Sequence, residues 1–218
     1  MVKIMKNVLL IGLGVFGRTV AEELNKLGHQ VMAVDKDEAC VNEVLDFVTN
    51  AQIGDSTNKE FLKSLGVDNY DVCIVTIKQN FQSSLETTAL LKDMGAKLVV
   101  SRAAKEFHSK FLLRNGADKV VFPEKQMAKL TAVRYTADHM FDYVQLDENV
   151  SLFELDVPKN WIGKTVAEID VRKKYNINII GTMVDGKVSA TIGPDVVFTA
   201  EHHILVMGSY KDVQKCFK

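Results

Sequence analysis

The feature that most constrains the fold is a glycine-rich hexapeptide, GLGVFG, at residues 12–17. It follows the short apolar run NVLLI and precedes the amphipathic run RTVAEELNKL, so it joins a predicted strand to a predicted helix. Gly12 permits a tight turn, Gly14 lets an anion approach the backbone, and Gly17 allows close packing of helix against strand. The unpaired N–H groups of the helix start favour a phosphate. This context predicts a nucleotide site; the alternative is that the glycines only form a turn.

Two further segments support this prediction. Asp35 closes the next apolar run, VMAVD, where a carboxylate accepts hydrogen bonds from ribose hydroxyls and repels a 2′-phosphate. The segment GDST, 54–57, follows the third strand candidate and begins a helix, so it belongs to the same edge of the sheet. The alternative is that Asp55 or Thr57 merely caps that helix, and Thr57 with Glu60 has the spacing of a capping box.

The rest of the first half alternates between strand and helix signals. The runs CIVTI, KLVVS and KVVF are short, apolar on both faces and separated by amphipathic stretches, and Gly28 and Gly95 follow helical patterns as C-terminal caps do. This alternation predicts an α/β fold with a doubly wound, Rossmann-type parallel sheet.

A second, smaller domain is expected after the alternation stops. Pro123 opens a predicted helix over Glu124 to about Phe141. From Ser151, short strand candidates surround a helical stretch at about 165–174, and the Asp185–Gly186 pair predicts a hairpin turn. We therefore expect a Rossmann domain over 1–142 and a small α+β domain over 143–218.

Charge and cysteine usage exclude several classes of protein. Lys and Arg number 27 against 28 Asp and Glu, a formal charge of -1, which disfavours nucleic acid as a partner. The 3 cysteines are far apart, as in a reducing, cytoplasmic setting. No apolar run is long enough for a transmembrane helix or fits a signal peptide, and no serine-hydrolase elbow or P-loop is present.

Catalytic candidates are few. His202 and His203 are adjacent, so in a strand they point to opposite faces, and His29, His108 and His139 are isolated. A non-catalytic binding module is the leading hypothesis. An NAD-dependent oxidoreductase or NAD(H) redox sensor is the alternative, and a redox-sensing DNA-binding repressor is a weaker one because no basic helix-turn-helix segment is present.

Nearly the whole chain resembles the regulator of potassium conductance (RCK) family, and within it the cytosolic subunits of Ktr and Trk potassium-uptake systems. The resemblance rests on VLLIGLGVFG, VMAVDKDEACVNEV, IGDSTNKEFLKSLGVDNYDVCIVTI and GADKVVFPEKQMA in the first half. In the second half it rests on IDVRKKYNINIIGTM and ILVMGSYKDV.

The resemblance implies a nucleotide-binding regulatory subunit that gates an integral-membrane potassium channel or transporter. It implies a homodimer that assembles into a homo-octameric ring, cytoplasmic and peripheral on the inner face of the cell membrane. ATP or ADP is the expected ligand, with NAD(H) as an alternative. Mg²⁺ or another divalent cation is expected at Glu124; the alternative is that Glu124 is only an acidic first-turn residue that interacts favourably with the helix dipole. By motif position, the nucleotide contacts would be Gly12, Leu13, Gly14, Val15, Phe16, Gly17, Asp35, Lys36, Gly54, Asp55, Ser56, Thr57, Ile77 and Arg102.

The resemblance also implies a second ligand, and at one position this sequence departs from the family's pattern. Some members bind cyclic di-AMP in the C-terminal domain, and the matching residues here are Val171, Arg172, Ile179 and Pro194. The alternative is that Val171 and Ile179 are core residues and Arg172 is a solvated charge at a helix end. Close Ktr-type relatives carry arginine directly after the second glycine, where this chain has Val15, with Arg18 after the third. This departure makes NAD(H) or ADP more competitive with ATP.

Overall fold

A computed structural model of the chain describes residues 5–136, 138–147 and 149–217. The chain divides into two compact units, Met1–Gln126 and Met127–Lys218. The division falls before the expected boundary at residue 142.

The first unit is built on a six-stranded parallel sheet. Its strand order is β3-β2-β1-β4-β5-β6, so the direction of winding reverses between β1 and β4. The prediction of a doubly wound, Rossmann-type sheet is confirmed. The strands are β1 (Asn7–Ile11), β2 (Gln30–Asp35), β3 (Asn50–Ile53), β4 (Val72–Val75), β5 (Val99–Arg102) and β6 (Lys119–Val121).

Helices connect these strands and cover both faces of the sheet. Leu9 and Ile11 of β1 belong to one buried cluster, while the intervening Leu10 belongs to another, as expected for a strand apolar on both sides. Each such fully buried side chain contributes about 2 kcal/mol. The helices are α1 (Val15–Lys26), α2 (Glu38–Asn42), α3 (Lys59–Ser64), α4 (Phe81–Asp93) and α5 (Glu106–Arg114); α6 (Pro123–Thr136) carries the chain into the second unit.

The second unit contains a five-stranded antiparallel sheet of order β10-β9-β11-β8-β7. Trp161, Phe153 and Phe198 are the largest fully buried side chains of its core. Its strands are β7 (Met140–Gln145), β8 (Ser151–Asp156), β9 (Asn178–Val184), β10 (Lys187–Ser189) and β11 (His203–Gly208). Its short helices are α7 (Val166–Ile169), α8 (Val171–Tyr175) and α9 (Tyr210–Gln214).

Two predictions for this half have different outcomes. The Asp185–Gly186 turn joins β9 to β10 with φ values of 48° and 73°, which confirms the predicted hairpin. The predicted helix to Phe141 is wrong, because α6 ends at Thr136 and 140–145 form β7. Burial of Met140 and Tyr143 against the second sheet's core outweighs the helical spacing of the apolar residues. Ala137, part of that predicted helix, lies outside the described residues.

Among the residues that the structure describes, none of the helices combines the length and apolar character needed to cross a bilayer.

Candidate functional site

The glycine loop lies between the end of β1 and the start of α1, at the point where the strand order reverses. Gly12 has φ of +95°, a conformation that disfavours any side chain. A Cβ at Gly17 would overlap the carbonyl oxygen of Gly12, so the loop packs directly on the helix. A Cβ at Gly14, by contrast, would meet no atom within 4 Å. The backbone at Gly14 is therefore open to a ligand's approach.

Two neighbouring strands hold this loop in place. The buried Thr76 hydroxyl, just after β4, donates to the Gly12 carbonyl. The Leu13 N–H donates to the Asp35 carboxylate at 2.6 Å, and the Gly12 N–H donates to the Val34 carbonyl at 2.8 Å. The loop is thus preorganised by backbone groups and by two side chains.

Asp35, at the end of β2, joins the loop to the following turn. Its Oδ2 accepts from Leu13 and its Oδ1 accepts from the Asp37 N–H at 3.0 Å. A carboxylate offers about four acceptor sites, so each oxygen retains capacity for a ribose hydroxyl. The neighbouring Lys36 side chain is exposed.

The GDST segment divides between surface and core. Asp55 is exposed and accepts from the Thr57 N–H at 2.9 Å and hydroxyl at 2.7 Å, and these bonds lower the pKa of Asp55. Ser56 is buried and its hydroxyl lies 2.8 Å from that of Thr87. The hydroxyl of Ser56 is therefore already engaged with α4, whereas Asp55 faces solvent.

The predicted capping box at Thr57 is wrong. The N-cap of α3 is Asn58, whose side chain accepts from the N–H groups of Glu60 and Phe61. Thr57 instead donates to Asp55. A Cβ at Gly54 would overlap the Phe61 ring, so a side chain at this position would displace that ring.

A charged cluster lies at the ends of β4, β5 and β6. Arg102 donates to Glu124, and Lys78 Nζ lies 3.2 Å from the same Glu124 oxygen. The Arg102 guanidinium carbon is 5.1 Å from the ring centroid of Phe16, a residue of the glycine loop. The predicted residues Arg102 and Phe16 are therefore in contact, beside the loop.

Glu124 has cationic partners within its own chain. Burial raises its pKa, but its own backbone N–H, Lys78 and Arg102 together outweigh burial and lower the pKa overall. It is charged at neutral pH. In the described part of the chain, no three His, Cys, Asp or Glu side chains cluster in a way that could hold a metal ion.

The remaining loop residues differ in exposure. Val15 is 76% exposed, Leu13 is buried in the core, and Ile77 is half-buried just after β4. Arg18, in the first turns of α1, pairs with Glu43. The GLGVFG loop itself contains no Lys or Arg.

The second unit has a pocket of about 320 Å³ beside α7 and α8. The four residues predicted for cyclic di-AMP, Val171, Arg172, Ile179 and Pro194, all line it, and Arg172 and Pro194 are exposed. The structure therefore brings this predicted set together.

Sequence reasoning missed Thr76 and Lys78. Thr76 directly follows β4 and Lys78 lies two residues further along, at the reversal point where ligands of doubly wound sheets bind. Their position just past the apolar run CIV, at the carboxyl end of a predicted strand, could have identified them as candidate site residues.

A parallel sheet of order 3-2-1-4-5-6 with a glycine loop at the reversal point defines the Rossmann class of nucleotide-binding folds. Residues 8–123 match the TrkA-N domain family and residues 150–218 match the TrkA-C domain family. The chain belongs to this family of TrkA-N and TrkA-C domain proteins, as the resemblance predicted.

Relatives match nearly end to end. Ktr system potassium uptake protein C of Bacillus subtilis (strain 168) is 37% identical over 96% of this chain and 95% of its own length. Ktr system potassium uptake protein A of the same organism is 32% identical with the same coverage.

Solved structures share the fold. The GsuK channel bound to NAD superposes with a TM-score of 0.67 at 17% identity, over 97% of this chain and 39% of that one. GsuK bound to ADP has a TM-score of 0.54 at 16% identity, over 61% of this chain and 35% of that one. The chain therefore spans well under half the length of these two structures.

Proposed function

We propose that this chain is a non-catalytic, nucleotide-binding regulatory subunit of a membrane potassium-uptake system. One observation carries the proposal: a glycine loop with an open Gly14 backbone is held beside Asp35 at the reversal point of the sheet. The end-to-end match to Ktr potassium uptake proteins supports the choice of system.

The proposed ligand is ATP or ADP, with NAD(H) as the competitor. All of them present a ribose to Asp35 and a phosphate to the loop. GsuK, whose structures share this fold, has been solved bound to NAD and bound to ADP, which supports a nucleotide ligand for this chain. Gly12, Gly14, Gly17, Asp35 and Asp55 are the proposed contacts, and the buried Ser56 acts through its backbone.

Regulation requires two assembly states that bind nucleotide with different affinity. A ligand that binds both states equally shifts nothing, however tight its binding. We propose that the chain forms a dimer, then an octameric ring, on the cytoplasmic side of its membrane partner. Exchange between ATP and ADP or NAD(H) then changes the ring and the potassium pathway.

A second ligand is proposed for the pocket of the second unit. Its volume lies at the low end for small-molecule pockets, so cyclic di-AMP would need a second copy of the chain to complete the enclosure. Arg172→Gln should weaken binding of cyclic di-AMP at least tenfold. Lys173→Gln, the neighbouring cation, is the matched control, and calorimetry reads both.

The nucleotide site is tested by calorimetric titration with ATP, ADP and NADH. Gly14→Ala places a methyl group where phosphate approaches, and it leaves the fold intact because no atom lies within 4 Å. We expect at least a tenfold loss of affinity, about 1.4 kcal/mol. Gly193→Ala, also with nothing within 4 Å of its Cβ, is the control and should bind normally. Equal affinity of both variants would refute the placement.

The same preparation separates a binding module from an oxidoreductase. Steady loss of NADH absorbance with a carbonyl substrate would favour the enzyme. Binding without turnover would support the regulatory proposal.

A further inference from the structure

The buried face of α4 carries hydroxyl groups where a helix on a sheet usually carries apolar side chains. Ser84, Thr87 and Thr88 are each at most 1% exposed. A buried hydroxyl costs free energy unless it is hydrogen-bonded. The Thr88 hydroxyl donates to the Ser84 carbonyl at 2.7 Å and lies 2.8 Å from the Ser101 hydroxyl. The bonds of Thr88 therefore stay within α4 and the strand β5.

Thr87 is bonded to a different part of the molecule. Its hydroxyl lies 2.8 Å from the hydroxyl of Ser56, which belongs to the GDST segment after β3, and both side chains are buried. The two residues are 31 positions apart in the sequence. Because the pair is buried, removal of one hydroxyl leaves the other without a partner. The Ser56–Thr87 pair is therefore a buried link between α4 and the GDST segment.

The residues of the GDST segment alternate between the protein interior and its surface. The Gly54 N–H donates to the Asp35 carbonyl at 2.9 Å, and Ser56 contacts α4. Asp55, between them, is exposed, and its carboxylate accepts from the N–H and hydroxyl of Thr57. The direction in which the Asp55 carboxylate points thus depends on how Ser56 is held.

The GDST segment lies at the nucleoside end of the proposed site. It follows β3, which pairs with β2, and β2 ends at Asp35, the proposed ribose ligand. The glycine loop, where phosphate is proposed to bind, follows β1 on the other side of β2. A shift of GDST would therefore disturb the adenosine moiety that ATP, ADP and NADH share.

We propose that Thr87 is a positioning residue for nucleoside recognition: its hydroxyl holds Ser56, and Ser56 fixes the GDST segment so that Asp55 faces the nucleoside. This inference rests on the proposed nucleotide-binding function. The Thr87 side chain is fully buried, so it acts through Ser56 and not on the ligand. Without the Thr87 hydroxyl, Ser56 regains a partner only by turning towards water, and this movement displaces Asp55.

The test compares Thr87→Val with Thr88→Val by calorimetry with ATP, ADP and NADH. Both variants keep the side-chain shape and remove a fully buried hydroxyl from α4, so urea unfolding should show a similar loss of stability. We expect Thr87→Val to weaken all three ligands by the same factor, about three- to tenfold, as for one lost hydrogen bond. Thr88→Val, the matched control, should bind them as the wild type does. Equal affinities of the two variants, or a loss confined to one ligand, would overturn the proposal.

Rescue by serine separates the hydroxyl from the methyl group. Thr87→Ser keeps the hydroxyl and should bind all three ligands as the wild type does. If Thr87→Ser loses as much affinity as Thr87→Val, packing of the methyl group is responsible and the proposal fails.

Ser56→Ala keeps the test decisive if Thr87→Val folds poorly. The Thr87 hydroxyl left behind can bond a carbonyl four residues earlier in its helix, as Thr88 does, so this variant should fold. We expect the same loss of affinity as in Thr87→Val. The double variant should lose no more than the weaker-binding single variant, because both changes break one link. Losses that add, or wild-type affinity in both single variants, would overturn the proposal.

Failure of the positioning role is distinguishable from failure of the proposed function. If the wild-type chain binds none of ATP, ADP and NADH, the proposed function fails and the role of Thr87 with it. If the wild type binds them and Thr87→Val and Ser56→Ala bind equally well, only the positioning role fails.

Discussion

Thr76 shows how a single side chain determines the shape of the candidate site. Its hydroxyl bonds the Gly12 carbonyl and lies 3.2 Å from the Ile11 carbonyl, and it is buried between the ends of β1 and β4. The hydroxyl ties the first glycine of the loop to the residue that follows β4. The loop's position therefore depends on it.

Thr76→Val keeps the side-chain shape and removes the hydroxyl. We expect a loss of about 1–2 kcal/mol in the free energy of unfolding, the cost of one buried hydrogen bond, and weaker nucleotide binding. Thr88→Val removes a buried hydroxyl that bonds Ser84 and Ser101 instead. The Thr88→Val variant should lose a similar amount of stability but keep its nucleotide affinity. Urea unfolding measures the stability and calorimetry measures the affinity. Equal nucleotide affinity in both variants would contradict this role of Thr76.

Gly17 and Gly14 should respond oppositely to alanine. At Gly17 the new methyl group meets the Gly12 carbonyl, so the helix must move away from the strand. Overpacking of this kind costs about 1–3 kcal/mol. Gly17→Ala should therefore lower the urea midpoint clearly, while Gly14→Ala loses less than about 1 kcal/mol as a helix N-cap. A Gly17→Ala variant as stable as wild type would disprove the packing.

The predictions for single residues succeeded at positions where the backbone conformation or close packing restricts the residue type. Gly12 and Gly17 lie where the strand-loop-helix pattern placed them, and Asp35 does end β2. The pattern could not show that Ser56 faces α4 rather than the loop, since orientation depends on packing from a distant helix. Lys78 was missed because its partner, Glu124, is close only in the folded chain. Their roles toward a nucleotide stay predictions.

At the scale of secondary-structure elements, hydrophobic spacing predicted which helices and strands exist better than it predicted the residues at which they end. The alternation of strands and helices in the first half needs only local pattern, because each parallel strand is buried on both faces. The 124–141 segment has helical spacing throughout, yet its last residues join a sheet whose strands lie far along the chain. The antiparallel pairing with β8 depends on residues outside the segment, so the spacing of apolar residues within the segment could not predict it.

Helix α9 contains a carboxylate, Asp212, whose contribution to stability depends on pH. Hydrogen bonds from Lys215, Ser209 and Asn176 lower the pKa of Asp212 to about 2, against 3.8 for a free carboxyl. The native state therefore binds a proton less readily than the unfolded state. The stability from Asp212 is present above about pH 4 and is lost as the pH falls towards 2.

Asp212→Asn should abolish this contribution. The variant is expected to be less stable than wild type at neutral pH, and its stability should fall less steeply between pH 4 and 2. The fluorescence of Trp161, the single tryptophan, reports unfolding of the same unit. Asp185→Asn, in the hairpin turn, is the control. Parallel acid-unfolding curves for wild type and Asp212→Asn would rule out this assignment.

At the scale of the whole molecule, the proposed nucleotide site belongs to the first unit and the cyclic di-AMP pocket to the second. Each ligand should therefore stabilise its own unit by mass action. At a hundredfold excess over its Kd, a ligand adds about 2.7 kcal/mol to the native state. This gain corresponds to a rise of several degrees in Tm.

We expect ATP or ADP to raise the Tm of the first unit, followed by far-ultraviolet circular dichroism. Gly14→Ala should show a much smaller rise at the same nucleotide concentration, and Gly193→Ala the full one. Nucleotide that stabilises the wild type and Gly14→Ala equally would mean that it binds elsewhere.

The central claim is that nucleotide occupancy of the glycine loop regulates potassium uptake. The most direct test is rubidium-86 uptake by cells that express a Ktr-type membrane subunit together with wild type, Gly14→Ala or Asp185→Asn, the last a hairpin-turn residue outside both proposed ligand sites. Uptake should differ between wild type and Gly14→Ala at equal protein levels, and Asp185→Asn should match wild type. Identical uptake in all three, with Gly14→Ala shown not to bind nucleotide, would contradict this claim.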